Sequence, residues 1–370
     1  MPFDVKKHLS ALTQLPGPSG HEGPVREALR QDWAEYVDDF DSDGLGSLIA
    51  TRHGTGPEPR RQVMLCTHMD AIGLIVAEIR DGFIRTSTLG GVDYRVLLAQ
   101  PVIVHGKREL PGVFGAMPPH MSQYIKGSRK RYPDRYELWI DVGLPAGDVE
   151  ELVQVGDIIT FDAPFFDLKG ERVCGPAFDN RASIAAVTVC LDELTRREHA
   201  WDVVAVASVQ EEIGHNGAMA STYKVQPDIA ITVDGAFGKQ TGTKEDDVFT
   251  IGDGPTLAVG PNFHPLLNEA LREAAQQIEM DLRDEMMPGS SGTDAWHIQI
   301  SREGVPTALL GIPMKNMHTP VEVLDLRDVR RTGRLMAAFI AGLAPDFLNE
   351  IAWPLPESGA GKNTAGGDSA

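Results

Sequence analysis

The spacing of apolar and polar positions divides the chain into three kinds of segment. Residues 5–40 carry apolar side chains at helical intervals, broken by the turn Pro16-Gly17-Pro18-Ser19-Gly20 and resuming from Glu22 to Tyr36. Between Arg61 and His68 the run Val63-Met64-Leu65-Cys66 is continuously apolar, as in a strand buried on both faces. From about 71 to 165 the pattern changes to short β-type runs at 73–79, 83–86, 101–105, 136–142 and 157–161, separated by Gly, Pro and polar turns. After 175, helix and strand alternate. Ile184, Val187, Leu191 and Leu194 line one face of a helix that Asp179 or Asn180 is placed to cap. Strands follow at 201–209, 229–233 and 305–312, with helices at 265–278 and 326–343. The last helix is amphipathic through Val329, Met336, Phe339, Ile340 and Leu343.

Such alternation predicts an α/β fold with a mostly parallel sheet flanked by helices on both faces. Residues 71–165 read as a small β-rich domain inserted into it. The two flanking pieces, 1–70 and 166–345, then form one discontinuous domain. The Gly/Ser/Ala-rich tail, 354–370, is expected to be disordered. There is no internal repeat.

Composition narrows the partners. The chain has 370 residues, of which 42% are apolar, enough to bury a large core. With 34 basic and 53 acidic side chains the net charge is -19, which argues against nucleic acid or an anionic membrane as the main partner. The sparse thiols Cys66, Cys174 and Cys190, the absence of an apolar leader in MPFDVKKHLS and the lack of a membrane-length apolar window lead to an expectation of a reduced, cytoplasmic protein.

Candidate chemistry lies where the predicted strands stop. In open α/β sheets, ligands bind at the carboxyl ends of the strands. The run Val63–Cys66 leads into Thr67-His68-Met69-Asp70. The strand at 201–209 leads into Gln210-Glu211-Glu212, and the strand at 229–233 into Asp234. The strand at 305–312 precedes a short loop bearing His318, and Asp179 follows the Gly175-Pro176 turn. Taken singly, each has a structural reading: an Asp after a turn caps a helix, and paired Glu residues are solvated charge. Their joint placement behind buried apolar strands argues for chemistry.

Two imidazoles and three carboxylates suit zinc or cobalt. They are too many for one catalytic zinc, which takes three protein ligands and leaves a position open. Two cations roughly 3.5–4 Å apart with a shared carboxylate use all five, and Asp179, alone on its turn, is the natural bridge. Asp70 is placed to accept the second ring N–H of His68. Of the adjacent Glu211 and Glu212, one can bind metal while the other stays free as a general base. The remaining His residues, His215 among them, read as surface or structural.

These residues sit in a wider set of motifs: Leu15-Pro16-Gly17-Pro18-Ser19-Gly20, Thr67-His68-Met69-Asp70-Ala71-Ile72-Gly73, Phe178-Asp179-Asn180-Arg181, Glu211-Glu212-Ile213-Gly214, Asp234, Ser291-Gly292-Thr293-Asp294-Ala295 and His318-Thr319-Pro320. In order and spacing, over roughly residues 5 to 345, the chain resembles the tetrahedral aminopeptidases, a co-catalytic metallopeptidase family that includes glutamyl aminopeptidases and proteins misnamed endoglucanase. The resemblance implies a phosphorylase/hydrolase-like aminopeptidase fold and removal of N-terminal residues from peptides. It implies two divalent ions per subunit, zinc or cobalt, one held by His68 and Asp234, the other by Glu212 and His318, with Asp179 between. It implies Glu211 as the base, Asp70 as the partner of His68, and Thr293 and Asp294 as candidates for lining the specificity pocket. It also implies that the β-rich insert mediates subunit contacts in a homo-oligomer, a dodecamer built from dimers.

Two places depart from the family pattern. Lys315-Asn316-Met317 stands where many members have an Arg-Tyr pair, and His215-Asn216 follows Gly214 in place of the more usual apolar-basic pair. Neither touches a proposed ligand. The competing reading is a two-metal amidohydrolase or deacylase acting on small N-acyl substrates. A glycosidase fits less well, because the strand-end His residues would have no role and the adjacent Glu211 and Glu212 could not both face one sugar bond.

Overall fold

Two amphipathic helices, α1 (Val5–Thr13) and α2 (Gly23–Trp33), open the chain on either side of the turn at 16–20. The computed structural model describes residues 3–122, 134–244 and 248–353, so the tail at 354–370 lies outside the described residues. Asp4 caps α1 by accepting from Lys7 N, and Val5, Leu9 and Leu12 turn inward. In α2 the buried residues Val25, Leu29 and Trp33 recur every fourth position, which puts them on one face.

Strands β1 (Asp39–Ser42), β2 (Leu48–Arg52) and β3 (Gln62–His68) come next. Then β4 (Gly73–Arg80), β5 (Phe83–Leu89), β6 (Pro101–His105), β7 (Glu109–Gly115), β8 (Trp139–Asp141) and β9 (Ile158–Phe161) follow, with the short helices α3 (Pro119–Ser122) and α4 (Ala146–Leu152) between them. These six strands close into an antiparallel barrel, β4-β5-β8-β7-β6-β9. The barrel has its own apolar cluster, including Leu74, Val102, Val104, Phe114, Ile140 and Ile159. β7 was not expected from the sequence, because Pro111 and Gly112 interrupt its pattern; both nevertheless pair with β6. Next to β7, 135–137 is a capped 3-10 turn and the strand expected at 136–142 is confined to β8.

The chain then returns through β10 (Phe166–Asp167), β11 (Arg172–Gly175), α5 (Phe178–Leu194), β12 (Asp202–Ser208), α6 (Asn216–Val225) and β13 (Ile229–Phe237). It ends with β14 (Thr256–Val259), α7 (Pro265–Gln277), β15 (Arg283–Met286), α8 (Ala295–Ile298), β16 (Thr307–Met314), β17 (Glu322–Asp325) and α9 (Leu326–Gly342). Eight strands form one sheet in the order β1-β2-β12-β3-β13-β16-β14-β15. Its centre, β12-β3-β13-β16, is parallel, whereas β1, β2 and β14 join it antiparallel. β10, β11 and β17 make a small separate antiparallel sheet. The fold is therefore mixed α/β with more than one sheet.

The period of two along the central strands explains their unbroken apolar runs. Val63, Leu65, Val203, Ala205, Ile229 and Ile231 join a large core with α1, α2, α5 and α9. The intervening Met64, Cys66, Val204, Val206 and Ala230 join a second cluster on the opposite face with Ala218 of α6 and Ile298 of α8. α9 lies close against α5 at Gly333, where a Cβ would come 2.5 Å from the Ala186 carbonyl oxygen. Among the described residues no helix is long and apolar enough to cross a membrane. All three cysteines are buried free thiols.

Candidate metal centre

β3 ends in His68, which parallel pairing sets opposite Ser208 at the end of β12. Beyond β12 the chain passes through Gln210 in the left-handed region (φ 59), so Glu211 and Glu212 leave the sheet edge on a turn. Their divergence comes from this turn and not from strand alternation. Asp234 lies inside β13, which continues to Phe237 because it stays in register with the long β16. The sequence had placed it just past the strand end.

Asp179 does not cap α5. Ala177 is left-handed, Asp179 and Asn180 are non-helical, and no side chain caps this helix. The non-helical backbone at Asp179 instead turns its carboxylate to face the cluster. Asn180 Nδ2 donates to Val233 O at 3.0 Å and fixes this segment against β13. His318 rides on the loop after β16, itself left-handed at φ 62. Its Nδ1 lies 3.1 Å from Gly91 O. The Gly90-Gly91 pair after β5 must be glycine: a Cβ at 90 would meet Glu212 Oε2 at 2.9 Å, and one at 91 would meet His318 Nδ1 at 2.8 Å.

The side chains converge. His68 Nε2 is 3.2 Å from Asp179 Oδ1 and 3.6 Å from Asp234 Oδ1. His318 Nε2 is 3.3 Å from Asp179 Oδ2 and 3.4 Å from Glu212 Oε1. Asp179 thus turns one oxygen to each imidazole. Two compact trios result: His68, Glu211 and Asp234, and Asp179, Glu212 and His318. Among the described residues, neither Asp179 Oδ1 nor Glu212 Oε1, both buried, has a hydrogen-bond donor in good geometry. Buried carboxylate oxygens need a donor or a cation. The donor set of imidazole and carboxylate, with two orphaned oxygens among them, fits a pair of divalent cations.

The electrostatics are those of crowded buried acids. Burial, opposed by the nearby His68, pushes Glu211 up to about 7. Burial and the charge of Asp179 raise Glu212 well above the usual carboxylate range, and burial raises Asp234. Asp179 alone is held well below that range: burial works against its charge, but His318 and His68 outweigh it.

Around the cluster lie residues that support it. Asp70 is fully buried and accepts from Ser19 Oγ at 2.6 Å, Glu211 N at 3.0 Å and Glu212 N at 3.2 Å. His68 Nδ1 is closer to the Asp70 carbonyl, 3.1 Å, than to its carboxylate, 3.5 Å. The carboxylate therefore braces the Glu211-Glu212 turn while the carbonyl takes the ring. Thr293 stands on the cleft wall with Ser291, Phe237, Met287 and Met317. Asp294 lies behind that wall, accepting from Ser208 Oγ at 2.6 Å.

Three contributors escaped the sequence reading. Glu322, at the start of β17, accepts from Asp179 N at 3.1 Å and His318 N at 2.8 Å and so ties two remote segments together. Gly90-Gly91 lies in the stretch between the β-type runs at 83–86 and 101–105, where nothing singled it out. His215, read as surface or structural, lies 2.9 Å from Glu211 Oε1. No apolar periodicity marks any of them: Glu322 and Gly90-Gly91 act across tertiary contacts, and His215 acts across the turn that follows Glu211.

Residues 46–335 match the family described as M42 glutamyl aminopeptidase. The chain is 36% identical over 345 residues to lysyl aminopeptidase of Pyrococcus furiosus, covering 92% of this chain and 98% of that one. Among solved structures it is similar to a TET aminopeptidase from a marine sediment Thaumarchaeota archaeon, with TM-score 0.88 and 28% identity over 94% of this chain and 99% of the other. It is also similar to the Pyrococcus horikoshii TET1 peptidase, which can assemble into a tetrahedron or a large octahedral shell, with TM-score 0.80 and 28% identity over 92% and 100%.

Proposed function

The chain belongs to the M42 glutamyl aminopeptidase family of peptide-bond hydrolases, and on that premise we propose that it removes N-terminal residues from peptides at a two-cation centre with Glu211 as general base. The observation that carries this reading is Asp179, whose two carboxylate oxygens face His68 at 3.2 Å and His318 at 3.3 Å. In this reading His68 and Asp234 hold one cation, Glu212 and His318 the other, and Asp179 contributes to both. Zinc and cobalt suit these donors best. Bound there, such cations supply Lewis-acid polarisation of the scissile carbonyl and make water more acidic.

The chain's own residues do the rest. Glu211 Oε2 lies 3.8 Å from His68 Nε2, at the edge of the cluster and on the cleft wall. From there Glu211 takes a proton from the attacking water and returns it to the leaving amine. Asp70 holds the Glu211-Glu212 turn, and Glu322 holds the backbones of Asp179 and His318. The free N-terminal amine of the peptide, bound at this centre, sets which bond is presented.

The discontinuous piece 1–70 with 166–345 is the catalytic domain in this reading, and 71–165 is the assembly domain. The tetrahedral and octahedral shells of the Pyrococcus horikoshii relative support a homo-oligomer, and a dodecamer built from dimers is the assembly proposed here. The cytoplasm is the proposed location, and neither nucleic acid nor membrane is a partner.

Glu211→Gln tests the mechanism on aminoacyl-anilides, with N-acylated amino acids as the control substrates. Metal content by mass spectrometry stays at the parent value while turnover falls on the order of 10²- to 10⁴-fold. Ordinary turnover in this variant would rule out Glu211 as the base. Chelation abolishes activity and added zinc or cobalt restores it; a chelated enzyme that keeps full turnover would rule out the cation pair.

A further inference from the structure

Behind Glu211 a line of buried polar side chains runs back into the sheet. Ser208, the last residue of β12, donates from Oγ to Asp294 Oδ2 at 2.6 Å. The other carboxylate oxygen, Asp294 Oδ1, is 3.5 Å from His215 Nδ1. That same Nδ1 is 2.9 Å from Glu211 Oε1. Asp294 is 1% exposed, so it is not a solvated surface charge. Nδ1 makes no straight hydrogen bond to either partner; it lies between the two carboxylates, within ion-pair distance of both.

The backbone holds the imidazole there. His215 N and Gly214 N both donate to Glu211 O, at 3.1 and 3.0 Å. His215 is left-handed (φ 58) immediately before α6, so the ring projects back over the turn and does not continue with the helix. Its ring packs on that of His297, with centroids 5.1 Å apart. Burial works against a charge on His215, but Asp294 and Glu211 outweigh it and push it up to about 10. A cation between two buried carboxylates offsets a desolvation cost that neither could bear alone.

A carboxylate acting as a base needs one oxygen free for the proton and a fixed orientation. Glu211 has two side-chain torsions before the carboxyl group, and only its Oε2 faces the metal cluster. We propose that His215 is a positioning residue for the hydrolytic reaction: seated on Asp294, it holds Oε1 of Glu211 and so presents Oε2 to the attacking water. Ser208 in turn orients Asp294. The order Asp294, His215, Glu211 is that of a base aligned by a second group that is itself aligned by a third.

The proposal rests on Glu211 being the base. The test uses the full metal-loaded chain with His215→Leu, His215→Asn and His215→Gln, and with Glu211→Gln in parallel. Asn carries its amide nitrogen where His carries Nδ1, whereas Gln carries it where His carries Nε2. In the Leu and Gln variants kcat on an aminoacyl-anilide falls between about tenfold and a hundredfold, the usual effect of removing an outer partner, with KM within about twofold. His215→Asn recovers most of the loss, and metal content stays at the parent value throughout. Because Asn also tolerates the left-handed backbone at 215 (φ 58) better than Leu or Gln, His215→Gly, which suits that backbone but supplies no donor, is the decisive control: its kcat falls with Leu and Gln, and a Gly variant as active as Asn would overturn the proposal. Parental kcat in the Leu and Gln variants, or equal loss in Asn and Gln, would overturn the proposal. Loss of one metal ion per subunit on replacing His215 would also overturn it, since Glu211, His215 and Asp294 have a spacing a cation could use. If Glu211→Gln stays active, it is the base assignment that fails, whatever the His215 variants do.

Discussion

Replacing Asp70 with Asn exchanges one acceptor oxygen for an NH2 group at a point where nothing can adjust. Both oxygens of Asp70 are in use: Oδ1 accepts from Glu211 N at 3.0 Å, and Oδ2 from Ser19 Oγ at 2.6 Å and Glu212 N at 3.2 Å. The Ser19 hydroxyl can rotate and become an acceptor, but a backbone N–H cannot. Whichever way the amide is turned, its NH2 faces one of the two backbone donors. A buried donor left unpaired costs about 1–3 kcal/mol. Because that donor belongs to either the base or its neighbour, the cost falls on the geometry of the centre. At about 1.4 kcal/mol per tenfold, kcat/KM should fall between about fivefold and about 150-fold. Asp70→Ala removes both side-chain acceptors and should lose more. The assay is steady-state hydrolysis of an aminoacyl-anilide by protein of matched metal content. An Asp70→Asn enzyme within twofold of the parent would refute the bracing role.

Other consequences concern the scaffold. Gly333→Ala should destabilise the chain although helix propensity alone favours Ala by about 1 kcal/mol. Its Cβ would meet the Ala186 carbonyl oxygen at 2.5 Å and Val189 Cβ at 2.6 Å, so α5 and α9 must separate. Overpacking of this kind costs about 1–3 kcal/mol, and a backbone neighbour that cannot rotate away places it near the top of that range. A lower urea midpoint checks this, and an unchanged midpoint would refute it. Asp202 accepts from Gly54 N at 2.8 Å and Arg60 Nε at 2.6 Å. Burial opposes its charge, yet these partners hold its pKa below the usual carboxylate value. A depressed carboxylate contributes stability above its unfolded pKa of about 3.9 and loses it as pH falls through the folded value. The stability gap between parent and Asp202→Asn should therefore shrink on acidification from pH 7 toward 3; a gap that stays constant would sink this account.

How far the sequence reached depended on the range of the interaction. Apolar runs such as Val63–Cys66 announce strands buried on both faces, because side-chain direction is set by backbone period alone. The ends of the expected strands then mark where His68, Glu211 and Glu212 gather, with Asp234 three residues short of the true end of β13, and His and carboxylate types point to a cation without any knowledge of packing. β7 was hidden because Pro111 and Gly112 disfavour a strand locally, and only closure of the barrel overrides them. Asp179 looked like a helix cap, since caps are a local rule; non-helical backbone at Asp179 and Asn180 redirects it. Glu322, Gly91 and His215 gain their roles from partners far along the chain or across a turn, where no spacing rule applies. The sequence by itself determined the core strands, their helices and the chemical types at the strand ends, because those follow from neighbouring residues. Only the tertiary structure decided which oxygen faces which imidazole and what braces each one, because those depend on close contacts between segments brought together by folding.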